Sequence, residues 1–81
     1  MKQNVPEIAH CIEQNLYRYF HDLNGETACG VYEMVLEQVE KPMLKCVMEE
    51  CGGNQSKAAA MLGLNRNTLR KKLVRYGLLE N

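Results

Sequence analysis

Glycines divide this chain into four segments, and the apolar residues within each segment recur every three or four positions. That spacing is typical of one side of an α-helix, and no segment alternates as a β-strand would. The helical pattern stops at Asn24-Gly25, Gly52-Gly53, Gly63 and Gly77. Glycine readily adopts the left-handed backbone that closes a helix. The sequence therefore predicts an all-α protein of four helices.

The helices are predicted over residues 6–23, 28–51, 55–62 and 66–76. A chain of 81 residues forms one domain, and an apolar fraction of 46% with 25% charged residues is ordinary for a folded protein. No apolar run approaches the length of a membrane span, and the first residues lack the apolar core of a signal peptide. We therefore expect a cytoplasmic protein.

The second predicted helix is apolar on more than one side. Pro42 lies inside it, but the apolar spacing continues past the proline in the same phase, which predicts one bent helix. Val31, Leu44 and Met48 lie off the main apolar side, so the apolar arc is wide. A chain this short buries only a modest core, so a partner subunit is the economical explanation. The main apolar side consists of Tyr32, Val35, Leu36, Val39, Met43 and Val47, with Cys46 as a further candidate.

The four cysteines, Cys11, Cys29, Cys46 and Cys51, form no CxxC pair. Their long, uneven gaps favour reduced cysteines acting as small apolar residues on helices, and no metal or cofactor is expected. The competing hypothesis is a thiol- or metal-dependent regulator that uses Cys46, Cys51 and one histidine. No His, Asp, Glu or Cys cluster has catalytic spacing and no glycine-rich phosphate loop occurs, so we expect neither an enzyme nor a small-molecule substrate.

Charge is distributed unevenly along the chain. Residues 54–76 contain six basic and no acidic residues, whereas residues 1–53 contain four basic and nine acidic residues. The formal net charge of +0 hides this opposition. A basic helical block attached to an acidic one is typical of a nucleic-acid-binding element on a separate scaffold.

The basic block has the pattern of a helix-turn-helix. Ala58 and Ala59 allow a second helix to approach closely, and Gly63 supplies a tight turn. Asn54 and Asn65 are placed as N-caps. Five residues are predicted to face inward, namely Leu62, Leu64, Leu69, Leu73 and Tyr76. The outward side, whose donors suit guanine edges and phosphates, carries Arg66, Asn67, Arg70, Lys71, Val74 and Arg75.

Residues 53–59, 62–73 and 76–77 read Gly-Asn-Gln-Ser-Lys-Ala-Ala, Leu-Gly-Leu-Asn-Arg-Asn-Thr-Leu-Arg-Lys-Lys-Leu and Tyr-Gly. They strongly resemble the DNA-binding end of Fis, the bacterial factor for inversion stimulation, which is a nucleoid-associated protein. The likeness extends upstream through Tyr-Phe, Leu-Asn-Gly, Tyr-Glu, Val-Leu and Val-Glu-Lys-Pro, which begin at residues 19, 23, 32, 35 and 39. The same ending occurs in enhancer-binding activators, so the alternative interpretation is a detached domain of one. The Met1 start and the end at Asn81 favour a stand-alone protein.

The resemblance implies a homodimer in which residues 1–52 of both subunits interlock as a four-helix core. Residues 53–81 would then form one helix-turn-helix at each end. In this family the two recognition helices lie closer together than successive major grooves, which are about 34 Å apart on straight DNA. The resemblance therefore implies a protein of the nucleoid that bends DNA, regulates transcription and reads deformability more than base sequence.

The resemblance also implies roles for individual residues. Asn65 and Arg66 are the candidates for base-edge contact, with Lys71 assisting. The candidates for phosphate contact are Asn54, Ser56, Thr68, Arg70, Lys72 and Arg75. Capping alone would equally account for the two asparagines, and it is compatible with phosphate contact because both use the same helix end.

Three features depart from the family pattern. Longer members have an N-terminal β-hairpin arm that touches recombinases, and only about five residues precede the first helix here, which counts against recombinase stimulation. Val74 stands where a basic residue is common. The four cysteines are not part of the pattern and inherit no role from it.

Overall fold

The computed structural model describes residues 6–79, which form four α-helices and no strand. The helices are α1 (Pro6–Asp22), α2 (Val31–Glu50), α3 (Gln55–Leu62) and α4 (Arg66–Arg75). The predicted all-α fold of four helices is confirmed. None of the helices within these residues is both long and apolar enough to cross a bilayer.

The start of α2 was predicted wrongly. The apolar pattern placed it at residue 28, but the helix begins at Val31. Gly30 has a φ of 67°, in the left-handed region that other residues rarely adopt, and its carbonyl accepts the first helical hydrogen bond from the Met34 N–H. The segment before it, including Cys29, is therefore not helical. The helix then continues through Pro42 as a single element, as predicted.

The described residues form two compact units, which divide between Val35 and Leu36. The first contains α1 and the start of α2. No described side chain of α1 is buried, and the apolar Ile8 and Phe20 are 50% and 45% exposed. Phe20 packs against Tyr19 with ring centroids 5.6 Å apart. These two large apolar side chains of α1 are therefore largely exposed.

The second unit contains the core. Leu44 of α2 and Leu69 and Leu73 of α4 are completely buried. Cys51, Ala58 and Ala59 complete the buried set, and Val47, Met48, Leu62, Tyr76, Leu78 and Leu79 pack against it. This core joins the end of α2 to α3 and α4.

Leu44, the most deeply buried residue of α2, and Met48 lie off the predicted main apolar side, whereas Val47 belongs to it. Leu44, Val47, Met48 and Cys51 recur at spacings of three and four and face the core, whereas Met43 on the predicted side is 43% exposed. Periodicity alone missed this because α2 is apolar over a wide arc. Cys51 behaves as the small apolar residue expected of the cysteines, whereas Cys11, Cys29 and Cys46 are exposed.

Candidate nucleic-acid interface

Helices α3 and α4 form a helix-turn-helix. Three residues, 63–65, connect them, and the buried Ala58 and Ala59 of α3 lie in the core with Leu69 and Leu73 of α4. Gly63 has a φ of 77°, and the N–H of Leu64 donates to the Ala59 carbonyl at 2.9 Å, which closes α3. The predicted turn is confirmed, and Leu69, Leu73, Leu62 and Tyr76 face the core as predicted, whereas Leu64 is only partly buried.

Both asparagine caps are present. The Asn54 side-chain oxygen accepts from the Lys57 N–H at 3.0 Å, and that of Asn65 accepts from the Asn67 N–H at 2.8 Å. Each cap satisfies one of the free donors at the start of its helix. Both asparagines are exposed, so the caps also place polar groups on the surface at the two helix starts.

The outward side of α4 is exposed and basic. Asn67, Arg70, Lys71 and Val74 line an open, shallow depression, and Val74 is the half-buried apolar member of the four. Arg66 and Thr68 are exposed at the start of the same helix, and Ser56 is exposed at the start of α3. Six of the residues predicted from sequence are therefore exposed on α4, namely Arg66, Asn67, Thr68, Arg70, Lys71 and Arg75.

The remaining predicted residue of α4, Lys72, lies elsewhere. Its side chain is only 28% exposed, and its Nζ lies 2.9 Å from Oε2 of Glu40 on α2. The Tyr76 hydroxyl donates to Oε1 of the same carboxylate at 2.5 Å. Arg75 is also engaged, because its Nη2 donates to Oε2 of Glu37 at 2.8 Å.

Sequence reasoning assigned no role to these two carboxylates. Glu37 and Glu40 are three positions apart on α2, and Leu44 follows four residues later on the same side of the helix. That spacing was the only sequence signal that Glu37 and Glu40 face α4. It could be interpreted only if Leu44 was already known to pack against α4, because the contacts join residues more than 30 positions apart.

The contacts of Glu40 shift its acidity. The hydrogen bond from Tyr76, followed by that from Lys72, lowers the pKa of the Glu40 carboxyl below its ordinary value of 4.5. The same bond to the carboxylate raises the pKa of the Tyr76 hydroxyl. Glu40 is therefore held ionised, with its charge offset by the ammonium of Lys72.

This arrangement predicts a pH-dependent stability. A carboxyl whose pKa is lower in the folded chain stabilises the fold above the unfolded value, near 4.5, and that contribution is lost as the pH falls through the folded value. The wild-type chain should be more stable than Glu40→Gln at neutral pH. The gap should close below about pH 4.5, because the protonated acid resembles the amide. Urea unfolding across this pH range measures the gap, and one that stays constant would contradict the assignment.

Nothing in the described part of the chain supports a metal centre, since no three His, Cys, Asp or Glu side chains lie close enough to share an ion. All four cysteines are unpaired thiols. The hypothesis of a metal-dependent regulator built on Cys46 and Cys51 therefore gains no structural support.

Two short capped helices, a three-residue turn and a basic outward side on the second helix define a helix-turn-helix protein. The sequence model of the bacterial regulatory proteins of the Fis family matches residues 35–76, more than half of the chain. The chain belongs to the Fis family, and the resemblance noted from its residues is confirmed.

Curated relatives agree with this assignment. A Fis-like DNA-binding protein of Neisseria meningitidis serogroup A is 70% identical over 79 residues, which cover 98% of this chain and 100% of the relative. A Fis-like DNA-binding protein of Ralstonia nicotianae is 54% identical over 72 residues, covering 89% and 94% of the two chains. The DNA-binding protein Fis of Actinobacillus succinogenes is 55% identical over 67 residues, which are 83% of this chain and 68% of that one.

Proposed function

We propose that this protein binds duplex DNA as a homodimer, bends it, and acts in nucleoid organisation and transcription regulation in the bacterial cytoplasm. The observation that carries the proposal is the exposed basic side of α4, with Arg66, Arg70 and Lys71 presented by a packed helix-turn-helix. Guanidinium and ammonium donors suit the guanine edge in the major groove and the phosphates on both sides of it. The relatives named as DNA-binding proteins support the same conclusion.

The site residues divide into two roles under this proposal. Asn65 and Arg66, at the start of α4, contact base edges with Lys71 assisting, and Asn67 belongs to the same helix surface. The other residues contact phosphates and fix the register of the protein on the duplex, namely Asn54, Ser56, Thr68, Arg70, Lys72 and Arg75. Two of these phosphate-contacting residues, Lys72 and Arg75, already form ion pairs with carboxylates of α2.

The proposal of a dimer rests on uncovered apolar surface. Ile8 and Phe20 of α1 and Tyr32 and Met43 of α2 are 43–75% exposed in the single chain. An extended exposed apolar surface on a soluble protein often marks a protein interface. A second copy of the chain would cover them, with residues 1–52 as the dimer region and residues 53–81 as the DNA-binding region.

Gel shift with circularly permuted duplexes tests binding, stoichiometry and bending together. We expect one dimer per duplex and a mobility that depends on the position of the site, because a central bend retards the complex most. If each subunit neutralises up to six phosphates, log affinity should fall against log salt with a slope on the order of −10. Undetectable or salt-insensitive binding would refute DNA binding, and equal mobility of all permutations would refute bending.

A further inference from the structure

Two carboxylates of α2 hold cations that belong to α4, but the two pairs differ in exposure. The Lys72 and Glu40 side chains are 28% and 11% exposed, and Glu40 also accepts the Tyr76 hydroxyl. The Arg75 and Glu37 side chains are 50% and 48% exposed. The first pair is therefore part of the packed fold, whereas water reaches both members of the second.

Arg75 lies at the boundary between the fold and the proposed DNA surface. It is the last residue of α4, its guanidinium lies 5.5 Å from the centre of the Tyr76 ring, and Glu37, Gln38 and Lys41 line the open depression beside it. Glu37 is thus an acidic group within reach of a cation proposed to contact phosphate. A phosphate that binds Arg75 must share the guanidinium with this carboxylate or replace it.

Replacement of the Glu37 carboxylate by a DNA phosphate at Arg75 should affect how strongly the affinity for DNA depends on salt. A cation that meets DNA without an internal partner releases a condensed counterion, which makes the affinity steeply dependent on salt. A cation already neutralised by a carboxylate contributes less to that release, because its charge is offset before binding. An exposed ion pair is also weak, so it lowers the affinity for phosphate without preventing binding.

We propose that Glu37 limits the affinity of this protein for DNA by competing with the phosphate backbone for Arg75. The proposal rests on the DNA-binding function proposed above and assigns a role to a residue outside the DNA-contacting set. Because phosphates are present at every site, the competition lowers affinity for all sequences alike and leaves base-edge reading at Arg66 unchanged. Glu37 therefore reduces the retention of the protein on target and non-target DNA alike.

The test compares Glu37→Gln with the wild-type chain by fluorescence anisotropy on two duplexes of different sequence over a series of salt concentrations. We expect binding at low salt to tighten by roughly 1.5- to 5-fold per subunit on both duplexes, as release of an exposed pair allows. The slope of log affinity against log salt should become steeper, by up to about 0.9 per subunit.

Glu50→Gln is the matched control, because it removes the same charge from the exposed last turn of α2. If only the loss of a negative charge mattered, through long-range attraction to DNA, Glu37→Gln and Glu50→Gln would raise the affinity equally. That result would overturn the proposal. A second comparison adds Glu37→Gln to a chain that already carries Arg75→Gln. In that background Glu37→Gln should no longer tighten DNA binding. A gain that persists without Arg75 would also overturn it.

The outcomes separate this inference from the function beneath it. If the wild-type chain binds DNA and Glu37→Gln has the same affinity and slope, only the role of Glu37 is refuted. If no variant binds duplex DNA, the proposed function fails and this inference fails with it. Thermal unfolding followed by circular dichroism confirms that the exposed substitutions leave the fold intact.

Discussion

Replacing Leu44 with alanine is expected to lower the free energy of unfolding by about 2–5 kcal/mol. Leu44 is completely buried and belongs to the cluster that joins α2 to the helix-turn-helix. The substitution removes its apolar contacts with the cluster that includes Leu69 and Leu73 and leaves a cavity there. Urea unfolding followed by circular dichroism measures the change. A domain this small has little stability to spare, so we also expect loss of DNA binding at 37 °C.

Met61→Ala is the control for Leu44→Ala. It also removes a large apolar side chain, but Met61 is 54% exposed on α3. The cost should remain below about 0.5 kcal/mol, as is usual for surface substitutions. Equal losses from the two substitutions would mean that the buried cluster does not join α2 to the helix-turn-helix in solution.

Arg66→Ala is expected to weaken binding to a preferred DNA site by about 1–3 kcal/mol, which is roughly 5- to 150-fold. Arg66 is exposed at the first position of α4, directly after the Asn65 cap, where a recognition helix approaches base edges. Loss of a guanine contact should also reduce the preference for that site over unrelated duplexes. Competition binding against a panel of duplexes measures both quantities.

Arg18→Ala is the matched control for Arg66→Ala. Arg18 carries the same charge but is exposed on α1, far along the chain from the proposed DNA surface. It should leave the preference among duplexes unchanged. If Arg66→Ala weakens binding to all sequences equally, Arg66 is a phosphate ligand and the proposed base-reading role is wrong.

Local sequence signals were sufficient for most of the helix-turn-helix. The Asn54 and Asn65 caps and the Gly63 turn are formed by residues two to five positions apart, so their partners could be read directly from the sequence. The buried Leu69 and Leu73 followed from helical spacing on one short helix. At these positions local preference and tertiary packing favour the same structure.

The rest depended on contacts that no local pattern encodes. The predicted helix began at residue 28, because the apolar spacing extends that far upstream. The left-handed backbone of Gly30 instead places the start of α2 after that glycine. Which side of α2 packs against α4 was decided by Leu44 within a wide apolar arc. The pairs that Glu37 and Glu40 form with Arg75 and Lys72 span more than 30 residues, and exposed glutamates are normally only solvated surface.

The buried thiol of Cys51 offers a native probe of how the protein moves. Three of the four cysteines are open to solvent, whereas Cys51 is 6% exposed in the cluster between α2 and the helix-turn-helix. A thiol reagent reaches this sulfur only when the cluster opens. The slowest of the four labelling rates therefore reports how often the cluster between α2 and the helix-turn-helix opens. The rate can be compared with and without DNA, and no engineered label is needed.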